Sequence, residues 1–372
     1  MNKILSILLI IALFGCGSMY KAKTGSNKEF VFYLGTYTDA GSQGIYRLIL
    51  KKDGAIVNNG LAAKTDNPSF FCLSHDKKFL IAVNEINIED NGTVESYRVD
   101  GEKLNLISRQ RSGGAHPCFV AVNDQGYVLT ANYTGGNVGL LNIDKEGKLS
   151  DLLDLEQHTG NGPTPRQASP HVHSVWFEKN GKDFISVDLG TDAVYFSSID
   201  IKTNKIKPGK QQLLKMKGGA GPRHLAIHPH KEWIYVVNEL DCSVTQILKS
   251  QDGGYSSLDS YSTLPDDFTG SNTCADIHLS KDGKFLYASN RGHNSIAVFS
   301  IDEKNGKLKL VSNVPTLGKN PRNFAISPDE NYLLVANQTT ENIVCFKRDK
   351  NTGLLTYISE TPAPKPVCIL FR

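Results

Sequence analysis

The chain has 372 residues and carries 41 Lys plus Arg against 38 Asp plus Glu, a balance with no general pull toward nucleic acid. Forty per cent apolar content and 33 glycines describe a well-buried, turn-rich globular protein and exclude a mostly disordered one. No basic run or stacking platform is present, so neither a nucleic-acid nor a protein partner is expected.

At the N-terminus Lys3 precedes the apolar run Ile4 to Phe14, followed by Gly15-Cys16. A run of about 11 residues is too short to cross a hydrocarbon core comfortably, so it reads as an export signal rather than a mature membrane helix. Leu13-Phe14-Gly15-Cys16 resembles a bacterial lipoprotein cleavage box, which implies that Cys16 becomes the lipidated first residue of the mature protein. The expected layout is a signal over 1–16, a small polar tether over 17–29 and one folded domain over 30–372. Such a protein sits in the cell envelope, facing the periplasm or the exterior, and meets the membrane only through its lipid anchor. The remaining cysteines, Cys72, Cys118, Cys242, Cys274, Cys345 and Cys368, form no C-x-x-C pair, which argues against zinc and for small buried side chains.

From Phe30 onward a single pattern recurs. Segments 67–84, 116–132, 170–188, 221–238, 273–290 and 320–337 each pass from a Pro or small residue through one strand, a polar turn and a second apolar strand ending in Asn or Asp. Leu80-Ile81-Ala82-Val83-Asn84 and Leu333-Leu334-Val335-Ala336-Asn337 are two of these endings, and their unbroken apolar runs suit strands covered on both faces. Third and fourth strands follow, the size of a propeller blade. The last repeat, 365–371, holds only a first strand, whereas 30–37 resembles a second strand and 44–50 a third. The expected fold is therefore all-β, a seven-bladed β-propeller whose last blade is closed by the N- and C-terminal strands, which removes any open sheet edge.

Equivalent repeat positions must lie at equal height around the ring. One such ring is Thr36, Asn84, Asn132, Asp188, Asn238, Asn290 and Asn337, whose uniformity points to scaffold. The next position, Tyr37, Glu85, Tyr133, Leu189, Glu239, Arg291 and Gln338, is varied, as a binding surface would be. A third ring, near the start of each first strand, reads Ser69, Pro117, His173, Arg223, Ala275, Arg322 and Val367. If both of these rings open on one end of the axis, His173, Arg223, Glu239, Arg291 and Arg322 converge in a cationic pocket for a small anion. An ion pair between Arg223 and Glu239 that serves only structure is the competing reading. The Asn ring adds only Asp188 as a charge, too little for a calcium site, so no metal or other cofactor is expected.

Gly221-Pro222-Arg223-His224-Leu225-Ala226-Ile227-His228-Pro229, Val237-Asn238-Glu239-Leu240, 288–296 and Pro321-Arg322-Asn323-Phe324-Ala325-Ile326 together resemble the propeller-type lactonase family, which includes bacterial 6-phosphogluconolactonases and a fungal carboxymuconate cycloisomerase. The resemblance runs from about Phe30 to Arg372 and implies a metal-independent enzyme acting on lactones of small acids. By local motif, the catalytic set of the fungal relative falls on His173, Arg223, Glu239 and Arg291, with His171 as a rival to His173. His171, Arg322, His116 and His293 are expected to contact substrate, His224 is a further neighbour, and His228 and His230 read as turn residues.

Lactone hydrolysis needs an activated water, a stabilised oxyanion and a proton for the leaving alkoxide. Glu239 and His173 are the candidate base and proton donor, in either order, with Arg223 and Arg291 on the oxyanion and the anionic group. No G-x-S-x-G motif is present, which favours direct attack by water over an acyl-enzyme. A non-catalytic binding propeller and a lactone-forming cycloisomerase are the alternatives. The export signal fits poorly with a phosphorylated cytoplasmic substrate: either the substrate is another lactone, such as that of an unphosphorylated sugar acid, or the family label exceeds the activity.

Overall fold

The computed structural model describes residues 28–39 and 41–372. The expected signal, the Cys16 lipidation site and residues 17–27 of the tether lie outside the described residues. Strands are numbered β1 to β28 in chain order, and they form seven antiparallel sheets of four strands each. The expected seven-bladed propeller is what the chain adopts.

Blades 1 to 6 each run through four consecutive strands, starting with β4 (Phe70–Leu73), β8 (Pro117–Val122), β12 (Val172–Phe177), β16 (Pro222–Ile227), β20 (Thr273–Leu279) and β24 (Pro321–Ile326). Blade 7 has the order β28-β1-β2-β3, in which β28 (Pro366–Phe371) pairs with β1 (Phe30–Thr36) before β2 (Gly44–Leu50) and β3 (Ile56–Lys64) complete it. The first and last described strands are therefore held in one ladder, which gives blade 7 its full four strands.

The second strands show why the sequence reads as it does. In β17 (Trp233–Asn238) all six residues are buried. Tyr235 and Val237 point into the core shared with blade 5, whereas Ile234 and Val236 point into the core shared with blade 3. Alternation along a strand thus sends every residue into one of two cores, leaving no polar face. Outer strands differ: β19 (Tyr255–Ser262) buries only Tyr255 and leaves the rest mostly exposed. A separate apolar cluster fills each of the seven blade interfaces, including those of blade 7 with blade 6 and with blade 1.

Thr36, Asn132, Asp188, Asn238 and Asn337 end second strands, Asn84 and Asn290 lie near the ends of theirs, and all seven are buried. Five of these side chains clasp the segment that crosses in from the preceding blade, whereas Thr36 and Asn238 bond within their own blades: Asn84 Nδ2 donates to Thr65 Oγ1 at 2.7 Å and to the Asp66 carbonyl at 2.7 Å. Asn290 accepts from Thr263 Oγ1 at 2.7 Å, Asp188 Oδ2 meets His158 Nδ1 at 2.8 Å, and Asn337 Nδ2 reaches the Thr316 carbonyl at 3.1 Å. The scaffold reading of this ring holds. Ser186 and His158 add a relay-like contact of 3.4 Å to the Asp188 pair, but His158 is stacked on Tyr195 with ring centroids 3.7 Å apart and all three groups are buried. This is a blade clamp.

One irregularity repeats. In β8, β12, β16, β20, β24 and β28 the register with the neighbouring second strand slips near the first residues, inserting one unpaired residue. Pro222 pairs with Asn238 and His224 with Val237, which leaves Arg223 with no strand partner. Bulges of this kind re-aim a side chain, and here they place Cys118, His173, Arg223, Arg322 and Val367 around the axis. The expected ring needs one correction: Pro117 pairs with Asn132, so the bulged residue of blade 2 is Cys118, not Pro117.

Replacing Asn84 by Ala removes the amide from a site where Thr65, Asp66 and Thr93 all bond to it. Stability should fall by about 1–3 kcal/mol, the cost of stranding buried partners. A urea unfolding midpoint equal to that of the wild type would show that the ring does not clamp blades.

Candidate active site

First strands begin, and second strands end, at the same end of the ring, because the two are antiparallel and paired at Val172–Asp188, Pro222–Asn238 and Pro321–Asn337. Both varied rings therefore open on one mouth, the condition on which the sequence argument depended.

Glu239 is the centre of that mouth. Its Oε2 lies 3.0 Å from Arg223 Nε and 2.8 Å from an Arg291 guanidinium nitrogen, and its Oε1 lies 3.0 Å from Arg166. Burial alone would raise its pKa; Arg291, Arg223 and Arg166 outweigh that and hold the carboxyl at about 2. Arg223 is fully buried, and its Nη1 also donates to the Ala275 carbonyl at 2.6 Å. Burial, together with the nearby Arg291 and Arg322, lowers its pKa to about 10, so it remains a cation near neutrality.

His173 lines the axial cavity with Cys118, Arg223, His224 and Arg322. Its ring stands edge-on to Tyr133 and to His224, at centroid distances of 5.5 and 5.3 Å, with Cys118 Sγ 3.6 Å from Nδ1. Burial and then the charge of Arg223 push its pKa well below the ordinary histidine value, so the ring is neutral at pH 7. The cavity measures about 10 Å³, near the lower limit for one water. Below the mouth, then, the channel is plugged.

His171 sits nearer the rim, stacked on Tyr133 at 4.4 Å with Nδ1 3.0 Å from the Tyr133 carbonyl oxygen. The bulge separates the two histidines, giving His173 to the axis and leaving His171 as part of the aromatic wall. Arg322 forms the opposite wall: it lies over the Tyr37 ring at 5.4 Å and 3.7 Å from Glu85, which accepts a 2.8 Å hydrogen bond from Tyr37. His116 and His293 stay on the flanking turns and bond locally, to Thr134 Oγ1 at 2.8 Å and to Ser295 Oγ at 2.7 Å, with no contact to Glu239 or His173. His224 is a structural neighbour, its Nδ1 2.9 Å from Asp276. His228 and His230 occupy the turn after β16, as expected.

Two components were not singled out from sequence. Arg166 comes from a 3₁₀ turn, Pro165–Gln167, inside the long connection between β11 (Asp154–Gln157) and β12. It spans from Glu239 to the Tyr133 hydroxyl at 3.1 Å, with its side chain half exposed. An arginine in an irregular loop has no equivalent in the other repeats, so blade alignment is blind to it. The second is Asp276, buried under the mouth, which bonds His224, His278 at 3.0 Å and Asn323 at 2.6 Å. A charged residue inside the first strand of blade 5 was the visible signal for it. Among the described residues, no group of three or more His, Cys, Asp and Glu is arranged to hold a metal ion.

A larger concavity, about 490 Å³, is elsewhere: it lies among 177–180 and 228–234, where the first strands end and the second strands begin. Its Lys249 and Glu178 neutralise each other. Volume alone favours that groove, but the convergent charges are at the mouth.

Replacing Glu239 by Gln leaves three guanidiniums without their counter-ion and should cost roughly 3 kcal/mol at pH 7. The carboxylate contributes its stability above pH 4.5 and loses it as pH falls toward about 2. The gap between wild type and variant in urea midpoints should close across that window; a constant gap would show that Glu239 is not held ionised by its partners.

A family model described as "Lactonase, 7-bladed beta-propeller" matches residues 31–371. A 6-phosphogluconolactonase of Bacillus subtilis is 37% identical over 313 residues, covering 81% of this chain and 86% of the relative. A 6-phosphogluconolactonase of Formosa agariphila is 36% identical and covers 70% and 76%. Among solved structures, a periplasmic gluconolactonase of Pseudomonas aeruginosa superposes with a TM-score of 0.88 at 29% identity, covering 92% of this chain and 99% of its own. A protein from Lactobacillus plantarum superposes with a TM-score of 0.87 at 33% identity, covering 93% and 100%.

Proposed function

Because the chain belongs to the family of lactonases built on a seven-bladed propeller, we propose that it hydrolyses the lactone of a small sugar acid at the arginine-lined mouth, by direct attack of water and without a metal. The observation that carries this reading is the clustering of Arg166, Arg223 and Arg291 on the single buried carboxylate of Glu239. With Arg322 there are four guanidiniums at the mouth against two carboxylates, Glu239 and Glu85, so two positive charges await an anion.

His173, neutral and beside a cavity the size of one water, takes a proton from the attacking water and returns it to the ring oxygen as the acyl–oxygen bond breaks. Glu239 is too weak a base while three arginines hold it; it orients Arg223 and Arg291 toward the oxyanion. Arg166, half exposed, is free to turn from Glu239 to the carboxylate or phosphate of a substrate. Arg322 completes the cationic wall.

We also place the protein in the cell envelope, lipid-anchored through Cys16, on the strength of the signal-like 1–16 segment. The two curated relatives act, by name, on a phosphorylated lactone, and the Pseudomonas relative is a periplasmic gluconolactonase. An envelope location favours the unphosphorylated substrate.

Turnover of phosphorylated and unphosphorylated gluconolactone, each corrected for spontaneous opening, tests this. His173→Ala should lower kcat/KM by ~10²–10⁴-fold with folding retained; unchanged turnover removes His173 from the chemistry. No turnover of either lactone would leave a non-catalytic anion-binding propeller as the better reading. In the wild type, kcat/KM should run level through pH 6.5, the ordinary histidine value, because His173 is held neutral well below it. A break near pH 6.5 would remove His173 as the base.

A further inference from the structure

The turn after the second strand has one backbone shape in five blades, with a left-handed residue at Gly136 (φ 63°), Asp192 (48°), Cys242 (56°), Asn294 (55°) and Glu341 (57°). Gly, Asn and Asp enter this region at least cost. A cysteine there gains nothing locally, so the reason for it must lie in what its side chain touches.

Cys242 Sγ lies 3.3 Å from the Asn272 carbonyl oxygen and 3.2 Å from Asn272 Nδ2. Cys274, on the first strand of blade 5, has its Sγ 3.1 Å from Thr263 Oγ1 and 3.3 Å from Asn290 Oδ1. The same Thr263 hydroxyl donates to the Cys242 carbonyl at 2.9 Å, and the Asn272 amide also reaches Asn290. The two thiols are thus held by one shared network of Thr263, Asn272 and Asn290 and lie in one apolar cluster between blades 4 and 5.

We propose that Cys242 and Cys274 form a reversible disulfide that locks blade 4 to blade 5 directly behind the anion site. The link is well placed to matter. Cys274 donates its N–H to the Glu239 carbonyl at 3.0 Å and accepts Arg291 on its own carbonyl at 2.8 Å. Joining it to Cys242, in the turn that begins at Glu239, ties the two sides of the Glu239–Arg291 pair through one covalent bridge.

The oxidant is a small disulfide such as oxidised glutathione. Cys242 reacts first: its hydrogen bonds with Cys274 and Asn272 lower its pKa against the opposing effect of burial, whereas burial raises that of Cys274. The Cys242 thiolate attacks one sulfur of the small disulfide and expels a thiolate. Cys274 then loses its proton, attacks the Cys242 sulfur and expels the second thiolate. One S–S bond breaks and one forms; the two cysteine protons end on the two released thiols, and two electrons pass to the small disulfide.

The full chain, incubated in glutathione buffers of increasing oxidised fraction, acid-quenched, alkylated and digested without reductant, should yield a linked Cys242–Cys274 peptide and lose two alkylatable thiols, both reversed by dithiothreitol. The oxidised form should melt about 3–6 °C higher. Cys274→Ala should instead retain glutathione on Cys242. Cys242→Asn, which borrows the residue of the equivalent turn at Asn294, should fold and show no oxidation-dependent change in melting. Absence of the linked peptide at the oxidising limit, a stable glutathione adduct on Cys242 of the wild type, or a persistent loss of two thiols in Cys242→Asn would each overturn the proposal.

Discussion

The pairing of β28 with β1 is the contact on which everything else in this molecule rests. A blade of the ring has two apolar faces, and each is covered only if both neighbouring blades are in place. Without the ladder from Phe32–Phe371 to Thr36–Pro366, blade 7 loses its inner strand, and the clusters it shares with blades 6 and 1 open to water. Gly35 shows how close that seam is: a β-carbon there would fall 2.3 Å from the Pro68 carbonyl oxygen and 2.7 Å from the Phe71 ring. Closure also defines the axis, and with it the notion that equivalent residues share one height.

On that frame the chemistry is assembled from departures rather than from regular strand. Regular pairing sends side chains into the interblade cores; the single extra residue near the start of a first strand escapes them and faces the axis. His173, Arg223 and Arg322 all owe their position to this device. It buries a full charge at Arg223, a costly arrangement that the Glu239 carboxylate and the Ala275 carbonyl offset. The same clustering holds Glu239 ionised and His173 neutral, so one arrangement sets the protonation of both candidate acid–base groups. An ion pair read only as a blade staple would not need a third arginine delivered from a loop.

Much of this was legible in the chain. Seven blades, the split last blade and the grouping of His173, Arg223, Glu239 and Arg291 at one height follow from the repeat, because a β-strand's period of two and a fixed blade length convert sequence distance into position. The choice of Pro117 over Cys118 shows where that conversion stops: alignment counts residues, but a bulge shifts the count by one without any marker in residue type. His116 and His293 were placed in the pocket by proximity in sequence, yet each found a hydroxyl on its own turn first.

What the sequence determined by itself was therefore the architecture, the ring closure and the face on which charge collects, all properties of a periodic pattern. Only the tertiary structure decided that Arg166 reaches across from an irregular connection to share Glu239, that Glu85 and Tyr37 engage Arg322, that Asp276 supports His224 from below, and that two cysteines of successive blades meet. The physical reason is common to all four. Periodicity reports height and face within a blade, whereas the path of a loop and the meeting of side chains across an interface depend on how neighbouring sheets pack, which no single repeat encodes.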